Sequence, residues 1–138
     1  MIDVTCAIIV EGNKILVTQR SEKMSLPLKW EFPGGKIEKN ETAEACILRE
    51  IKEELNLEIE IVTRLESKSF DYPSFSINLI PFISKYLSGI INLNEHKDYK
   101  WLTKEELKLL EWAPADIPIL QEFLNINYES TRPVRTNN

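Results

Sequence analysis

Three glutamates, Glu50, Glu53 and Glu54, cluster near the middle of the chain directly behind an arginine, Arg49. On a helix turning about 100° per residue they fall within an arc roughly 100° wide, beside the arc of Ile47, Ile51 and Leu55 rather than opposite it. The carboxylates therefore flank a face that is to be buried. Like charges at i,i+3 and i,i+4 each cost a helix on the order of 0.2–0.5 kcal/mol, so a cation should compensate. Arg49 and Lys52 could be the counter-ions of an ordinary solvated acidic face. Alternatively, carboxylate oxygens preceded by a Gly-rich turn suit a hard, oxygen-seeking ion such as Mg²⁺ or Mn²⁺. Spacing alone leaves both open.

Other chemistries are narrowed by composition. His96 is the only histidine, which nearly excludes a Ser-His-Asp triad or an imidazole-rich zinc site and leaves hydrolytic work to carboxylates. A formal net charge of −5 argues against long nucleic acid as a partner, because phosphate-backbone binding needs a basic surface. A small anionic ligand stays admissible if cations are supplied locally. Cys6 and Cys46 lack ligand-like spacing and read as two reduced, buried thiols. The apolar run Cys6 to Val10 is far shorter than the ~20 residues that cross a bilayer. With no export signal or membrane span visible, a cytoplasmic location is expected. Nothing in the sequence sets an oligomeric state.

These residues need a scaffold, and 138 residues suffice for one domain with its own core. Continuous apolarity over Cys6–Val10 and Ile15–Val17, separated by Gly12-Asn13, predicts a hairpin of strands covered on both faces. Lys29 to Phe32 is a short strand candidate closed by a turn at Pro33-Gly34-Gly35. Ile47, Leu48, Ile51 and Leu55 predict a helix over about Thr42 to Leu55, with Asn40 or Thr42 as its N-cap. Glu58 to Leu65 and Phe75 to Leu79 read as strands linked by a loop around Asp71-Tyr72-Pro73, with Pro81 marking an edge or bulge. A strand at Trp101, a capping box Thr103/Glu106 and a helix from Asp116 or Ile117 to Phe123 complete the domain. Residues 126–138 read as a loose polar tail beyond a domain of residues 1–125. Strands interleaved with helices indicate an α/β sandwich.

The order of residues adds what spacing cannot. Gly35-x5-Glu41-x7-Arg49-Glu50-Ile51-x-Glu53-Glu54-x-Asn56-Leu57 resembles the Nudix box, G-x5-E-x7-R-E-U-x-E-E-x-G-U with U aliphatic, at every specified position but one. The departure is Asn56 in place of glycine, just after the helix. The backbone there should be left-handed, and asparagine tolerates that state best among non-glycine residues. Trp30-Glu31-Phe32-Pro33-Gly34-Gly35-Lys36 resembles the lead-in of the family's MutT branch, and Trp112-Ala113-Pro114-Ala115-Asp116-Ile117-Pro118 the base-facing segment of its CTP pyrophosphohydrolase relatives. A Walker phosphate loop is absent, since Trp30 stands at its first glycine and Ile37 follows Lys36.

The resemblance implies the Nudix α/β/α sandwich with a mixed β-sheet, and an enzyme using Mg²⁺ or Mn²⁺ to cleave a nucleoside triphosphate to monophosphate and pyrophosphate. It implies an oxidised or cytosine-type nucleotide, with a nucleotide sugar or a non-catalytic nucleotide sensor as the alternatives. Glu50, Glu53, Glu54, the Gly35 carbonyl and Glu95 are the implied metal ligands, with Glu53 or Glu95 as general base and Arg49 orienting the carboxylates. Arg20 and Lys36 would meet phosphates, and Glu31, Phe32, Pro33 and Gly34 would line the substrate. Asp116 is placed either to read the base or to cap the last helix, and Phe75 reads first as core, with base stacking as its other role.

Overall fold

The computed structural model describes residues 1–126 of the chain. Of the polar tail expected over 126–138, all but residue 126 lies outside them. Strands β1 (Ile2–Glu11) and β2 (Lys14–Gln19) form the expected hairpin, in which Gly12 takes the positive φ of the turn (62°). The chain continues through β3 (Trp30–Glu31), β4 (Gly34–Lys36), α1 (Ala43–Leu55), β5 (Glu58–Arg64), β6 (Lys68–Tyr72), β7 (Phe75–Ser88), β8 (Asp98–Leu102) and α2 (Lys104–Leu107). A single 3₁₀ turn at Pro114–Asp116 then leads into α3 (Ile117–Leu124).

The eight strands make one mixed sheet. Its spine runs β3-β2-β1-β7-β5, with β4 against β1, β6 against β7 and β8 against β2. Only β1 and β7 are parallel, paired from Ile2↔Ile77 to Val10↔Lys85. Alternation along β1 explains its unbroken apolar run, because successive side chains enter opposite cores. Ala7 and Ile9 meet Ile47, Ile51 and Leu55 of α1, whereas Cys6, Ile8 and Val10 meet Leu107, Trp112, Ile119 and Phe123 on the other face. The result is the α/β/α sandwich.

Four local expectations give way to tertiary context. Gly34 to Lys36 forms a strand rather than a turn, because its backbone pairs with Val4 to Cys6 of β1. A Cβ on Gly34 would lie 2.0 Å from the Thr5 carbonyl oxygen, so only glycine admits this approach. Asp71 and Tyr72 belong to β6, and the hairpin turns instead at Pro73-Ser74. Pro81 lies inside a central strand, where β7's outer partner changes from β6 (Lys68↔Leu79) to β5 (Arg64↔Phe82). There the Leu65 N–H donates to the Pro81 carbonyl (2.9 Å), and the missing proline N–H falls in the gap between partner strands. Leu48, placed by periodicity among the buried positions of α1, is 42% exposed. Cys6 and Cys46 are buried free thiols, as expected.

Candidate active site

Helix α1 begins where Thr42 accepts the Ala45 N–H (3.0 Å) and ends at Asn56, whose left-handed backbone (φ 63°, ψ 36°) matches the expectation for the position where glycine is replaced. Burial of Ile47, Ile51 and Leu55 fixes the helix rotation, and that rotation presents Arg49 and Glu50 toward β4, Glu54 toward Glu95 in the loop before β8, and Glu53 toward solvent.

Arg49 is the hub of the acidic cluster. It donates to both carboxylate oxygens of Glu41 (2.6 and 3.0 Å), to Glu50 (2.8 Å), to Glu53 (3.1 Å) and to the Lys36 carbonyl (3.2 Å). That bonding pulls the Glu41 carboxyl down to about 2 and raises the guanidinium further above its ordinary value. Glu41 was missing from the expected site residues. Its signal was available in the motif, where an acid stands eight residues before Arg49, just ahead of the helix start and about two turns from the arginine.

Glu50 and Glu54 behave differently, since burial pushes both carboxyls above the usual range. In Glu54 the neighbouring Glu95 charge adds to burial, and its Oε1 is buried with no hydrogen-bond partner. Glu95 reaches this position because the loop before β8 is laced to the end of α1. The Asn92 N–H donates to the Leu55 carbonyl (3.0 Å) and the Asn94 N–H to the Glu54 carbonyl (3.1 Å). At Gly35 a Cβ would lie 2.3 Å from the Glu50 carboxylate, so the missing side chain is what lets that acid sit against β4. Among the described residues no three Asp, Glu, His or Cys side chains form a ready-made metal cage, because Arg49 draws Glu50 and Glu53 to itself. An orphaned buried carboxylate oxygen beside an all-oxygen donor set nevertheless fits a hard cation, which completes its shell with carbonyl, water and ligand oxygens.

A cleft of about 450 Å³ opens beside Glu54 and Glu95. Gly34, Gly35 and Lys36 form one side, and Phe32, Tyr72, Phe75, Ala113, Ala115 and Asp116 line the far end. Pro33 is buried and does not line it, and the exposed Glu53 likewise stays outside the lining. Phe75 is 47% exposed and stacks on Tyr72 (centroids 5.2 Å apart), so it is a cleft wall and not core. Tyr72, which sequence reasoning missed, is held by accepting the Ala115 N–H at its hydroxyl (3.1 Å).

Asp116 does not cap α3, for its side chain makes no capping bond. Its Oδ2 instead accepts the Phe32 N–H (2.9 Å) across 84 residues of sequence. Burial first, and then the Glu31 charge, pushes this carboxyl well above the usual range. Arg20 donates to Glu31 (2.9 Å) and to the carbonyl (2.6 Å) and hydroxyl (3.0 Å) of Ser25, and Glu31 also meets His96 (2.8 Å).

The family profile of the NUDIX domain matches residues 1–123. The chain belongs to the NUDIX hydrolases. Among its NUDIX relatives, the CTP pyrophosphohydrolase of Escherichia coli (strain K12) is 34% identical over 124 residues, 90% of this chain and 92% of the relative. The 8-oxo-dGTP diphosphatase of the same organism is 29% identical over 113 residues, 82% of this chain and 88% of the relative. The solution structure of the DNA mismatch repair protein MutT from methicillin-resistant Staphylococcus aureus 252 superposes with a TM-score of 0.72 at 44% identity, covering 89% of this chain and 95% of that one. Like these relatives this NUDIX chain is an enzyme, and hydrolases of the family generally use divalent metal ions. Among the described residues no helix is long and apolar enough to cross a membrane.

Proposed function

We propose that this NUDIX enzyme hydrolyses a nucleoside triphosphate to a monophosphate and pyrophosphate with Mg²⁺ or Mn²⁺, acting on an oxidised or cytosine-type nucleotide such as 8-oxo-dGTP, CTP or dCTP. The carrying observation is the cleft itself. It joins an aromatic and apolar end, floored by Asp116, to an end where Glu54 and Glu95 stand beside Gly35 and Lys36. A base and a polyphosphate need those two environments side by side. The names of the relatives support the same choice of substrates.

Glu54, Glu50, Glu53, Glu95 and the Gly35 carbonyl would hold the metal. When bound, divalent ions neutralise phosphate charge and lower the pKa of coordinated water. Arg49 positions Glu50 and Glu53, and Lys36 offers the cleft an exposed ammonium for phosphate oxygens. A carboxylate accepts the proton of the attacking water. Glu95 lines the cleft and Glu53 does not, which favours Glu95 for that task. Phe75 and Tyr72 provide a stacking wall for the base, and Asp116 reads its polar edge.

The test is a panel of nucleotides incubated with Mg²⁺, with pyrophosphate and orthophosphate measured separately. Pyrophosphate and monophosphate as first products are expected, and orthophosphate as the first product refutes the pyrophosphohydrolase reading. Activity that survives a strong chelator refutes the metal requirement.

A further inference from the structure

Two neighbouring loops border the cleft, already joined where the Lys97 N–H donates to the Gln19 carbonyl (2.9 Å) and the Lys97 ammonium meets Glu22 (3.3 Å). One joins β2 to β3 and brings Met24, Ser25 and Leu26 to the lining, and the other precedes β8 and carries Glu95. Between them lie three charged or polar side chains with little access to solvent. Arg20 and Glu31 are 18% and 16% exposed, and His96 only 4%.

Glu31 uses its two oxygens on different partners. Oε1 accepts from Arg20 (2.9 Å) and Oε2 pairs with Nε2 of His96 (2.8 Å). The other ring nitrogen of His96 is buried without a hydrogen-bond partner, so Glu31 is the ring's one polar anchor among the described residues. Arg20 in turn closes the β2–β3 loop. Its Nε donates to the Ser25 carbonyl (2.6 Å) and an Nη to the Ser25 hydroxyl (3.0 Å), while its own carbonyl accepts the Leu28 N–H (3.0 Å). That loop holds two leucines at positive φ, Leu26 (51°) and Leu28 (66°). Such a backbone persists in a residue with a branched side chain only where surrounding bonds over-determine it, and the Arg20 fork supplies them. Glu31 itself is fixed in β3 by pairing with Thr18, whose hydroxyl donates to the Glu31 carbonyl (3.2 Å).

We propose that Arg20, Glu31 and His96 form one buried positioning bridge that fixes the Glu95 loop against the β2–β3 loop beside the cleft. On this reading Arg20 and Glu31 serve by holding the walls in register, and the residue they position for the reaction is Glu95, adjacent to His96. The catalytic part rests on the function proposed above, whereas the coupling between loops does not.

Amide hydrogen exchange on the full chain reads the coupling without any substrate. The reporters are Leu28 and Lys29, bonded to the Arg20 and Leu26 carbonyls, and Asn92 and Asn94, bonded to the Leu55 and Glu54 carbonyls. Arg20→Met should speed exchange at Asn92 and Asn94, and His96→Phe at Leu28 and Lys29, each about tenfold, because either change breaks the path through Glu31. His96→Gln, which keeps a donor for Glu31, should restore most of that protection. In kinetics His96→Phe should lower kcat about tenfold with KM unchanged, the pattern of a displaced reacting group and not of a lost substrate contact. Faster exchange confined to the loop that carries the substitution overturns the bridge, and so does a His96→Gln enzyme as impaired as His96→Phe. If His96→Phe fails to fold, Arg20→Met decides by whether exchange speeds up at Asn92 and Asn94 or only within its own loop. A parent enzyme that releases no pyrophosphate from any nucleotide would defeat the proposed function and leave the exchange result standing.

Discussion

Asp116→Asn and Asp116→Ala separate two contributions that one buried carboxyl combines. The carboxyl accepts the Phe32 N–H at 2.9 Å and is 6% exposed, with the Glu31 charge nearby. Asparagine keeps an acceptor for that N–H and removes the titration, whereas alanine leaves a buried N–H unpaired at a cost of about 1–3 kcal/mol. For a domain of this size that should lower Tm by roughly 3–12 °C. The pH dependence has a definite sign. Because the folded carboxyl titrates above its unfolded value, its stabilising share is fully present below the unfolded pKa and is lost as pH rises through the folded one. Asparagine has no such loss, so the stability of Asp116→Asn relative to the parent should become more favourable from about pH 4 upward, while the alanine variant stays below the asparagine variant throughout. Urea unfolding at several pH values measures both differences. The same variants report on the base, since losing one buried contact there should compress selectivity among nucleotides roughly ten- to a hundredfold in kcat/KM. Asparagine and alanine variants of equal stability, with pH profiles parallel to the parent, would refute both the Phe32 bond's contribution and the raised titration. An unchanged substrate ranking would place base reading elsewhere.

The acidic cluster yields three further expectations. Glu54→Gln should hold or raise metal-free Tm, because burial and the Glu95 charge disfavour its ionised form, yet lower kcat by orders of magnitude; scanning calorimetry and initial rates check the pair. Gly35→Ala should cost activity with a small change in Tm, since the atoms its Cβ meets are the movable end of Glu50, whereas Gly34→Ala should destabilise, since there the Cβ meets the Thr5 backbone. Arg49→Met should reduce stability by about 1–3 kcal/mol, between the values for exposed and buried pairs, and enlarge the Tm gain on adding Mg²⁺ as released carboxylates seek another cation. A loss below about 0.5 kcal/mol in urea would mark Arg49 as an ordinary surface ion pair.

Helix α1, a cap at Asn40 or Thr42 and the left-handed Asn56 were legible in the sequence because each depends on residues within a few positions of one another, and the structure chose Thr42. The hairpin of β1 and β2 was legible for the same reason, and the order of box residues carried the family. Residue order could not tell which groups compete for one partner. Arg49 with Glu41, the orphaned oxygen of Glu54 and the Arg20–Glu31–His96 bridge all depend on side chains meeting from different elements. Asp116 shows the limit best. Position made it a helix cap or a base reader, and the fold gave its oxygen to an amide 84 residues away. Gly34 to Lys36 and Asp71-Tyr72 carry local turn chemistry, yet pairing with β1 and β7 made them strands. Local sequence determines conformation where the stabilising contacts are local. Where a backbone or a carboxyl is buried by distant elements, the requirement that each buried polar group find a partner decides, and those partners exist only once the sheet and helices have assembled.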